Sequence, residues 1–468
     1  MSDLYFSEIR GAMTQFLPVT DEIIKKLSDG KMDYNKLRGE LSKLGLSIDK
    51  VVCDPTRKYE NVYYADYEKG FYLSIILTDE YLQELANRDL KSDSQEVNYL
   101  LATKQYREYY IYSMPLPMII YDFNRRVWEL PKDQVYKIWH ENYKRLDYAN
   151  GLWEKKVLDH VFANASECEK PVPGKNGKVT VFRGVGEKSL PPEKAISWTT
   201  HPTSALYFAT HYRGDSKIIA AKIDSRNIVA YYGSNYEENE VIVRPGTVSD
   251  IRDLGMISIS PKTFIKLIIK GAMEFVMYGR QVQQLGYKPE GLYGYHGASH
   301  ILRVLLLSLV YFYNSGDKLG RSGKKILVYF SLMHDLGRTN DHEDECHGDA
   351  SIAIIKKQGL SIDGINLSET EQQIADLIIK NHCRDDKVGL AAIRAHTDLT
   401  RQEKKFARKL YRICKDMDGL DRVRFYGFDF RMLRTRYAAK LPIFATQMVK
   451  EDMIKFMDTV YEKWAPTL

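Results

Sequence analysis

The sequence predicts an α+β multidomain protein: a helical N-terminal region, a β-rich core, and an all-α C-terminal region. Three observations predict this. Apolar residues recur at intervals of three and four from Asp3 to about Ala165, as amphipathic helices require. Short β-type runs follow the break at Pro171-Val-Pro-Gly-Lys-Asn-Gly177, and helical periodicity resumes beyond the hinge GYKPEGLYGYHG.

The first region is read from DEIIKKLSDGKMDYNKLRGELSKLG and DQVYKIWHENYKRLDYANGLWEKKVLDHVF, whose apolar stripes fit helices. Tyrosines are dense between Tyr59 and Tyr148, and their amphipathic rings are expected as half-buried helix packing. The β-rich core carries VTVFRGV (179–185), SKIIAAKID (216–224), NIVAYY (227–232) and EVIVRPGTV (240–248). Among them THPTSALYFATHY is a helix candidate with Thr200 as its N-cap. The expected divisions are 1–85, a helical region to which the sequence assigns no role; 86–272, with a helical lobe over 86–170 and the β-rich core over 171–272; a linker over 273–290; and 291–468.

Composition narrows the function classes. With 468 residues, 44% hydrophobic and 28% charged, the chain is neither disordered nor collagen-like. Its 68 Lys+Arg against 62 Asp+Glu leave a net charge of +6, which does not mark a nucleic-acid binder. Five cysteines, Cys53, Cys168, Cys346, Cys383 and Cys414, form no CxxC pair and suit a reducing compartment. MSDLYFSEIRGAMTQF has no apolar h-region, so no Sec-type signal is expected. The longest apolar run, Val304 to Tyr313, is about half the roughly 20 residues of a membrane-spanning helix.

Three polar elements punctuate the β-rich core in order: Arg183 after VTVF, Ser197-Trp198-Thr199, and Glu238-Asn239-Glu240 opening VIV. Together they resemble the Arg, Ser-Thr-Ser, Glu-x-Glu signature of mono-ADP-ribosyltransferases over roughly residues 179–250, with Thr199 keeping a hydroxyl at the third position of the serine element. The resemblance implies NAD as substrate. Arg183 would supply a fork of donors to a nucleotide phosphate or ribose oxygen, and Ser197 and Thr199 would brace the site. Glu240 would face the oxocarbenium charge as the nicotinamide–ribose bond breaks. An extended chain from Glu238 to Glu240 directs both carboxylates to one face. In the family, a glutamate at the earlier position goes with an arginine acceptor.

Seven of the eleven histidines fall after residue 295. His296 and His300 stand four apart with Arg303 three further, one face of a helix. LMHDLGR carries His334-Asp335, TNDHEDECHGDAS carries Asp341 to Asp344, Glu345 and His347, NHCRDD carries His382 and Arg384, and KDMDGLDRVR carries Asp416, Asp418 and Asp421. His300, His334, Asp335 and Asp418 follow the spacing logic of HD-type phosphohydrolases, where such residues hold a divalent metal. A closer resemblance, over roughly 290–440, is to the phosphodiesterase domain of the SidE family of bacterial effectors, in HGxxHxxRV, HDxGR, the acidic stretch ending in Ser351, and KDxDxLDRVRF. That resemblance implies a metal-free mechanism. His296 would be the nucleophile, Glu343 (or Glu345, on a slipped alignment) would orient it, His382 would protonate departing AMP, and His300, Arg303 and Arg384 would hold phosphate oxygens.

The two resemblances describe successive steps. In the SidE family an arginine of ubiquitin is ADP-ribosylated, AMP is released, and the phosphoribosyl group joins a serine of a host substrate protein. Ubiquitin and host proteins are thus the implied partners, and injection into the host cytosol by a non-Sec route is the implied localisation. Here the transferase precedes the phosphodiesterase, the reverse of the usual family order. The alternative is an arginine-specific ADP-ribosyltransferase joined to a metal-dependent HD phosphohydrolase acting on ADP-ribosyl groups or nucleotides, or to a non-catalytic module that binds ADP-ribosylated protein. The basic helix RQEKKFARKLYRICK presents Arg401, Lys405, Arg408 and Arg412 at helical spacing, in most proteins a solvated face.

Overall fold

The computed structural model describes residues 16–54, 62–146, 149–166, 169–187, 189–211, 216–233, 238–287, 297–339, 344–425 and 428–464. His296, Glu343 and Cys168 lie outside these residues. The fold is α+β, with two antiparallel sheets and a majority of helix.

The N-terminal region departs from an all-helical expectation. Two helices, Asp21–Leu27 and Tyr34–Lys43, start on side-chain caps from Thr20 and Asp33. They accompany a four-stranded meander of β1 (Leu17–Pro18), β2 (Val51–Cys53), β3 (Val62–Asp66) and β4 (Phe71–Ser74). The tyrosines expected as helix packing explain the difference. Tyr63, Tyr64 and Tyr72 are buried on β3 and β4, where aromatic residues pack well on a pleated surface. Nor does the chain divide at residue 85. One core runs from Val19 to Phe162 and takes in Ile196, Ala230 and Ile242 of the second sheet. The segment before residue 85 is therefore packed with the helical lobe that follows it.

The second sheet has the order β10-β7-β5-β6-β9-β8, all antiparallel: β5 (Lys178–Val185), β6 (Ser197–Thr199), β7 (Lys217–Asp224), β8 (Ile228–Tyr232), β9 (Glu240–Val243) and β10 (Val248–Asp253). The predicted helix in the middle spans Pro202–His211. His201, not Thr200, gives its carbonyl to the first helical N–H, that of Ala205. Thr199 receives the His201 N–H on its hydroxyl, and Pro202 occupies the first helical position. This helix lies hard against β5. A Cβ added at Gly184 would sit 2.3 Å from the Ala205 carbonyl oxygen and from the Ala209 nitrogen. Only glycine permits the approach.

Residues expected as a linker are structured. Pro261–Ile268 and Ala272–Gly279 are helices, and Phe275, Val276 and Tyr278 are buried in the C-terminal core. The Ala298–Asn314 helix is buried at every position from Ala298 to Tyr311. Its apolar run is thus the central helix of a bundle, and no helix among the described residues is long and apolar enough to cross a membrane. Gly320–Met333 and Arg401–Asp421 pack against it, and Glu369–Asn381 packs against both of these; the last two are begun by capping boxes, Thr400 with Glu403 and Ser368 with Glu371.

The bundle and the second sheet share a core. Phe182, Ala205, Leu206, Ile218 and Ala220 belong to the same buried cluster as the bundle helices. Phe182 meets Phe430 edge to face at 5.4 Å, the Thr203 hydroxyl donates to the Phe428 carbonyl at 2.6 Å, and Ile257 N–H donates to the Lys440 carbonyl at 2.8 Å. The strand that carries Arg183 is fastened to the C-terminal bundle through its neighbouring residue.

Candidate functional site

Strands β5, β6 and β9 are adjacent, and their register gathers the first constellation. Phe182 pairs with Thr199, Thr199 with Glu240, and Ser197 with Ile242. Glu240 therefore shares a face with Thr199, and with Ser197 two residues along. The Ser197 hydroxyl donates to Glu240 Oε1 at 2.7 Å, and Arg183 Nη1 donates to the Ser197 carbonyl at 2.6 Å. Glu240 and Thr199 are buried. Burial pulls the Arg183 guanidinium below its ordinary pKa, against the opposing effects of Tyr143 and Glu240. Its Nε–H is buried and has no hydrogen-bond partner among the described residues. A buried donor left open costs about 1–3 kcal/mol, so the site is poised for an acceptor such as a phosphate or ribose oxygen.

Glu238 differs from its expected placement. Asn239 has φ of +48°, so the chain turns there and β9 begins at Glu240. Strand alternation does not bring the two carboxylates to one face. Glu238 stands exposed at the rim, its carbonyl accepting from the Thr199 hydroxyl at 2.6 Å. The hydroxyl of Thr199 thus holds the turn that bears Glu238.

One further residue, which no sequence pattern singles out, also reaches this site. His140, on the Lys132–Arg145 helix of the helical lobe, stands with Nε2 3.5 Å from Glu240 Oε2. Its ring stacks on Tyr232 of β8 with centroids 4.2 Å apart and planes within 3°. A lone histidine in an amphipathic helix carries no signal that foretells such a contact across more than ninety residues, roughly the distance at which only tertiary packing decides.

The second constellation converges from five directions. Four imidazoles, His300, His334, His347 and His382, are all buried and surround the buried Asp335. Asp335 Oδ1 lies 3.2 Å from His347 Nε2, 3.5 Å from His382 Nε2 and 3.8 Å from His334 Nε2, and Oδ2 lies 3.4 Å from His300 Nε2. Asp418 Oδ1 completes the cluster at 3.5 Å from His300 and 3.8 Å from His334. Close helix contact makes this possible. A Cβ at Gly348 would meet the Ile379 carbonyl oxygen at 2.4 Å, so the glycine after His347 lets its helix approach the one that ends at His382.

The outer nitrogens fix the chemistry of the inner ones. His334 Nδ1 faces the Phe330 carbonyl at 3.1 Å, His347 Nδ1 the Asp344 carbonyl at 2.6 Å, and His382 Nδ1 the Ile379 carbonyl at 2.6 Å. His300 Nδ1 faces Asp421 at 2.7 Å. A carbonyl oxygen only accepts, so the Nδ1 atoms of His334 and His382 carry protons, and the Nε2 atoms of all four rings face inward. Yet the inward nitrogens stand 2.9 Å apart for His347 and His382, and 3.2 Å for His300 and His334. At that distance each pair needs a proton on one nitrogen or a cation held by both. Outer hydrogen bonds that orient imidazoles around carboxylates are the usual support of a metal site.

These donors fit divalent metal. His300, His334 and Asp335 form one set of three, and His347, His382 and Cys383 another, each with ligand atoms within 4.8 Å of one another. Imidazole and carboxylate together suit manganese, iron or zinc. The titration behaviour agrees with a site that attracts cations. Burial takes His334 down to about 4, keeping it neutral. Burial also acts to lower His347, but Asp335 outweighs it and leaves it above the ordinary imidazole value. For His300, burial and Arg424 lower and the hydrogen bonds to Asp335 and Asp421 raise, with a net rise. Asp421 remains an anion despite its burial, because Arg424 and Arg303 flank it.

The predicted residues therefore separate into three groups. His300, His334, Asp335, His382 and Asp418 come together, joined by His347, which the sequence named without a role. Arg303 stands behind the cluster: its Nε donates to Asp421 Oδ1 at 2.5 Å, so it braces the carboxylate that orients His300. Arg384 binds Asp349 and, through Nε, the Glu345 carbonyl at 3.4 Å, while Glu345 itself is exposed. His296 and Glu343 fall outside the described residues.

The geometry defines two polar centres in one chain: a sheet-borne carboxylate with a serine and an arginine, and a buried His/Asp cluster able to hold divalent cations. No family model, curated protein or solved structure matches the chain.

Proposed function

We propose that the chain is an NAD-dependent, arginine-specific mono-ADP-ribosyltransferase whose product is cut at its pyrophosphate by the C-terminal bundle. The observation that carries this is the Ser197–Glu240 hydrogen bond beside the open Nε–H of Arg183, on three adjacent strands. Glu240, fixed by Ser197, stabilises the cation that forms at the ribose carbon as nicotinamide leaves with the bonding pair. The acceptor guanidinium forms the new carbon–nitrogen bond and gives a proton to Glu238 at the exposed rim. Arg183 anchors the nucleotide.

Ubiquitin enters as acceptor through the SidE-family resemblance. On that reading AMP leaves in the second step, protonated by His382, while His296 carries the phosphoribosyl group to a serine hydroxyl of the substrate protein. The shared core between β5 and the bundle supports two steps in one body. A second reading is favoured by the close approach of the inward Nε2 atoms around Asp335 and Asp418. In it His300, His334, His347, His382, Asp335 and Asp418 hold divalent metal, which would polarise the phosphoryl oxygens and activate water.

Mass spectrometry of ubiquitin incubated with NAD and the protein tests the proposal. An arginine adduct of ADP-ribose or phosphoribose is expected, absent with E240A, and H382A accumulates the ADP-ribosyl form. Unmodified ubiquitin and unconsumed NAD in every reaction would refute it. Excess EDTA separates the two readings: AMP release persists if histidine attacks phosphorus, and stops if metal is required.

A further inference from the structure

A cavity on the far side of the Arg401–Asp421 helix has a charge pattern that neither centre uses. Its volume is about 570 Å³, within the range of small-molecule sites. Lys405, Arg408, Lys409 and Arg412 line it from that helix, and Arg434 and Arg436 from the segment that follows. Asp317 is the one acidic residue in the wall, and it is already engaged by Lys409 at 2.8 Å and by the Tyr311 hydroxyl at 2.6 Å. Arg434 is likewise engaged, by Asp386 at 2.6 Å and Asp416 at 3.3 Å. Lys405, Arg412 and Arg436 have no carboxylate partner among the described residues, and Arg408 donates only to the Lys404 carbonyl. In a chain whose net charge is only +6, four cations left without counter-charge in one concavity constitute a local excess.

The shape selects among anions. A nucleic acid or an acidic peptide needs an extended track, whereas these cations come from two walls of one cavity and point to a compact ligand with clustered charge. Three to four negative charges on adjacent phosphates match the unpartnered side chains, and Arg forks suit phosphate oxygens. Tyr437, half-buried in the same wall with its ring edge to face against Tyr311 at 5.6 Å, offers an aromatic surface beside them. We propose that this cavity binds a small ligand bearing two or more linked phosphates, a nucleoside diphosphate being the natural fit because it adds a base to the pyrophosphate.

The cavity is wired to the His/Asp centre. Arg434 N–H and Thr435 N–H, in its wall, donate to the buried Asp416 at 2.9 and 2.7 Å, and Asp418 lies two residues further along the same helix. A ligand held by Arg436 and Arg412 would fix the segment that positions this helix, making the cavity a candidate effector site for the bundle.

Calorimetric titration of the full chain with ADP, and separately with inorganic tripolyphosphate, tests the proposal. Saturable binding of ADP is expected in wild type and equally in the double variant R183M/D418A, which removes the nucleotide anchor of the sheet-borne centre and a carboxylate of the helical one. R412E/R436E should weaken it at least tenfold, and K405Q/R412Q by a smaller factor, with far-ultraviolet circular dichroism unchanged. Equal binding of tripolyphosphate would assign recognition to phosphates alone, and preference for ADP would add the base; both support the site. Absence of saturable binding by either probe, or ADP binding untouched by the charge reversals, or abolished by R183M/D418A, overturns it.

Discussion

The sheet-borne centre and the helical centre solve the same problem, fixing a few polar groups away from water, by opposite routes. Arg183, Ser197 and Glu240 are neighbours because three adjacent strands impose a register, so one hydrogen-bonded ladder positions all of them. The His/Asp cluster has no such ladder. Its members come from the Ala298–Asn314 and Arg401–Asp421 helices and from the ends of three others, each held by its own outer hydrogen bond. The first centre keeps an open donor; the second crowds its inward nitrogens around two carboxylates.

The difference predicts how each centre breaks. The largest effect is expected for E240Q, which on the proposed function removes the charge that faces the developing cation. NAD consumption should fall by about 10²–10³, the loss seen when one preorganised electrostatic contact is removed, while the metal content measured by atomic emission stays that of wild type. D335N should do the reverse. It should leave NAD consumption intact and, on the metal reading, lower metal affinity by about 10–100-fold, since Asp335 stands within 4 Å of all four imidazoles. Equal effects of either change on both activities would mean that the centres are not separable.

Gly184→Val tests the ladder itself. The added side chain collides with Ala205 and Ala209, and a loss of about 1–3 kcal/mol in denaturant stability is expected from overpacking, with NAD turnover reduced through the displaced Arg183. A smaller change, about tenfold in kcat or roughly 1.4 kcal/mol, is expected for His140→Phe, which keeps the stack on Tyr232 and loses the contact with Glu240. An unaltered kcat there would make His140 a packing residue only.

On the metal reading, acidification should release metal from the helical centre, because cation and proton compete for the same Nε2 atoms. His300 and His347 have raised pKa values, so affinity measured by chelator competition should begin to fall above pH 6.5, before an ordinary imidazole would titrate. In metal-free protein the sign reverses. The raised values make the folded state bind more protons, so these two histidines stabilise it fully below the unfolded pKa, and that contribution is lost as pH rises through their folded values.

Much of this was legible in the sequence where interactions are local or strictly ordered. Residues 179–248 hold short β-type runs punctuated by polar elements in a fixed order, so Arg183, Ser197, Thr199 and Glu240 could be named together. His334-Asp335, His300 and Asp418 could be named from type and spacing. What could not be read depends on tertiary packing. The tyrosines of β3 and β4 resemble helix-surface rings until a partner strand is known, and the Ala272–Gly279 helix was hidden by its closeness to the Gly-rich hinge. His140 and His347 join their centres through folding alone. The φ of +48° at Asn239, which turns Glu238 out of strand alternation, is set by the bend that Thr199 holds.

The direct measure of the central claim, two centres acting in succession on one dinucleotide, is the yield of nicotinamide and of AMP per ubiquitin modified. Wild type should release both in equal amounts, D335N nicotinamide alone, and E240Q neither. AMP appearing from NAD and ubiquitin in E240Q at the wild-type rate would contradict the account.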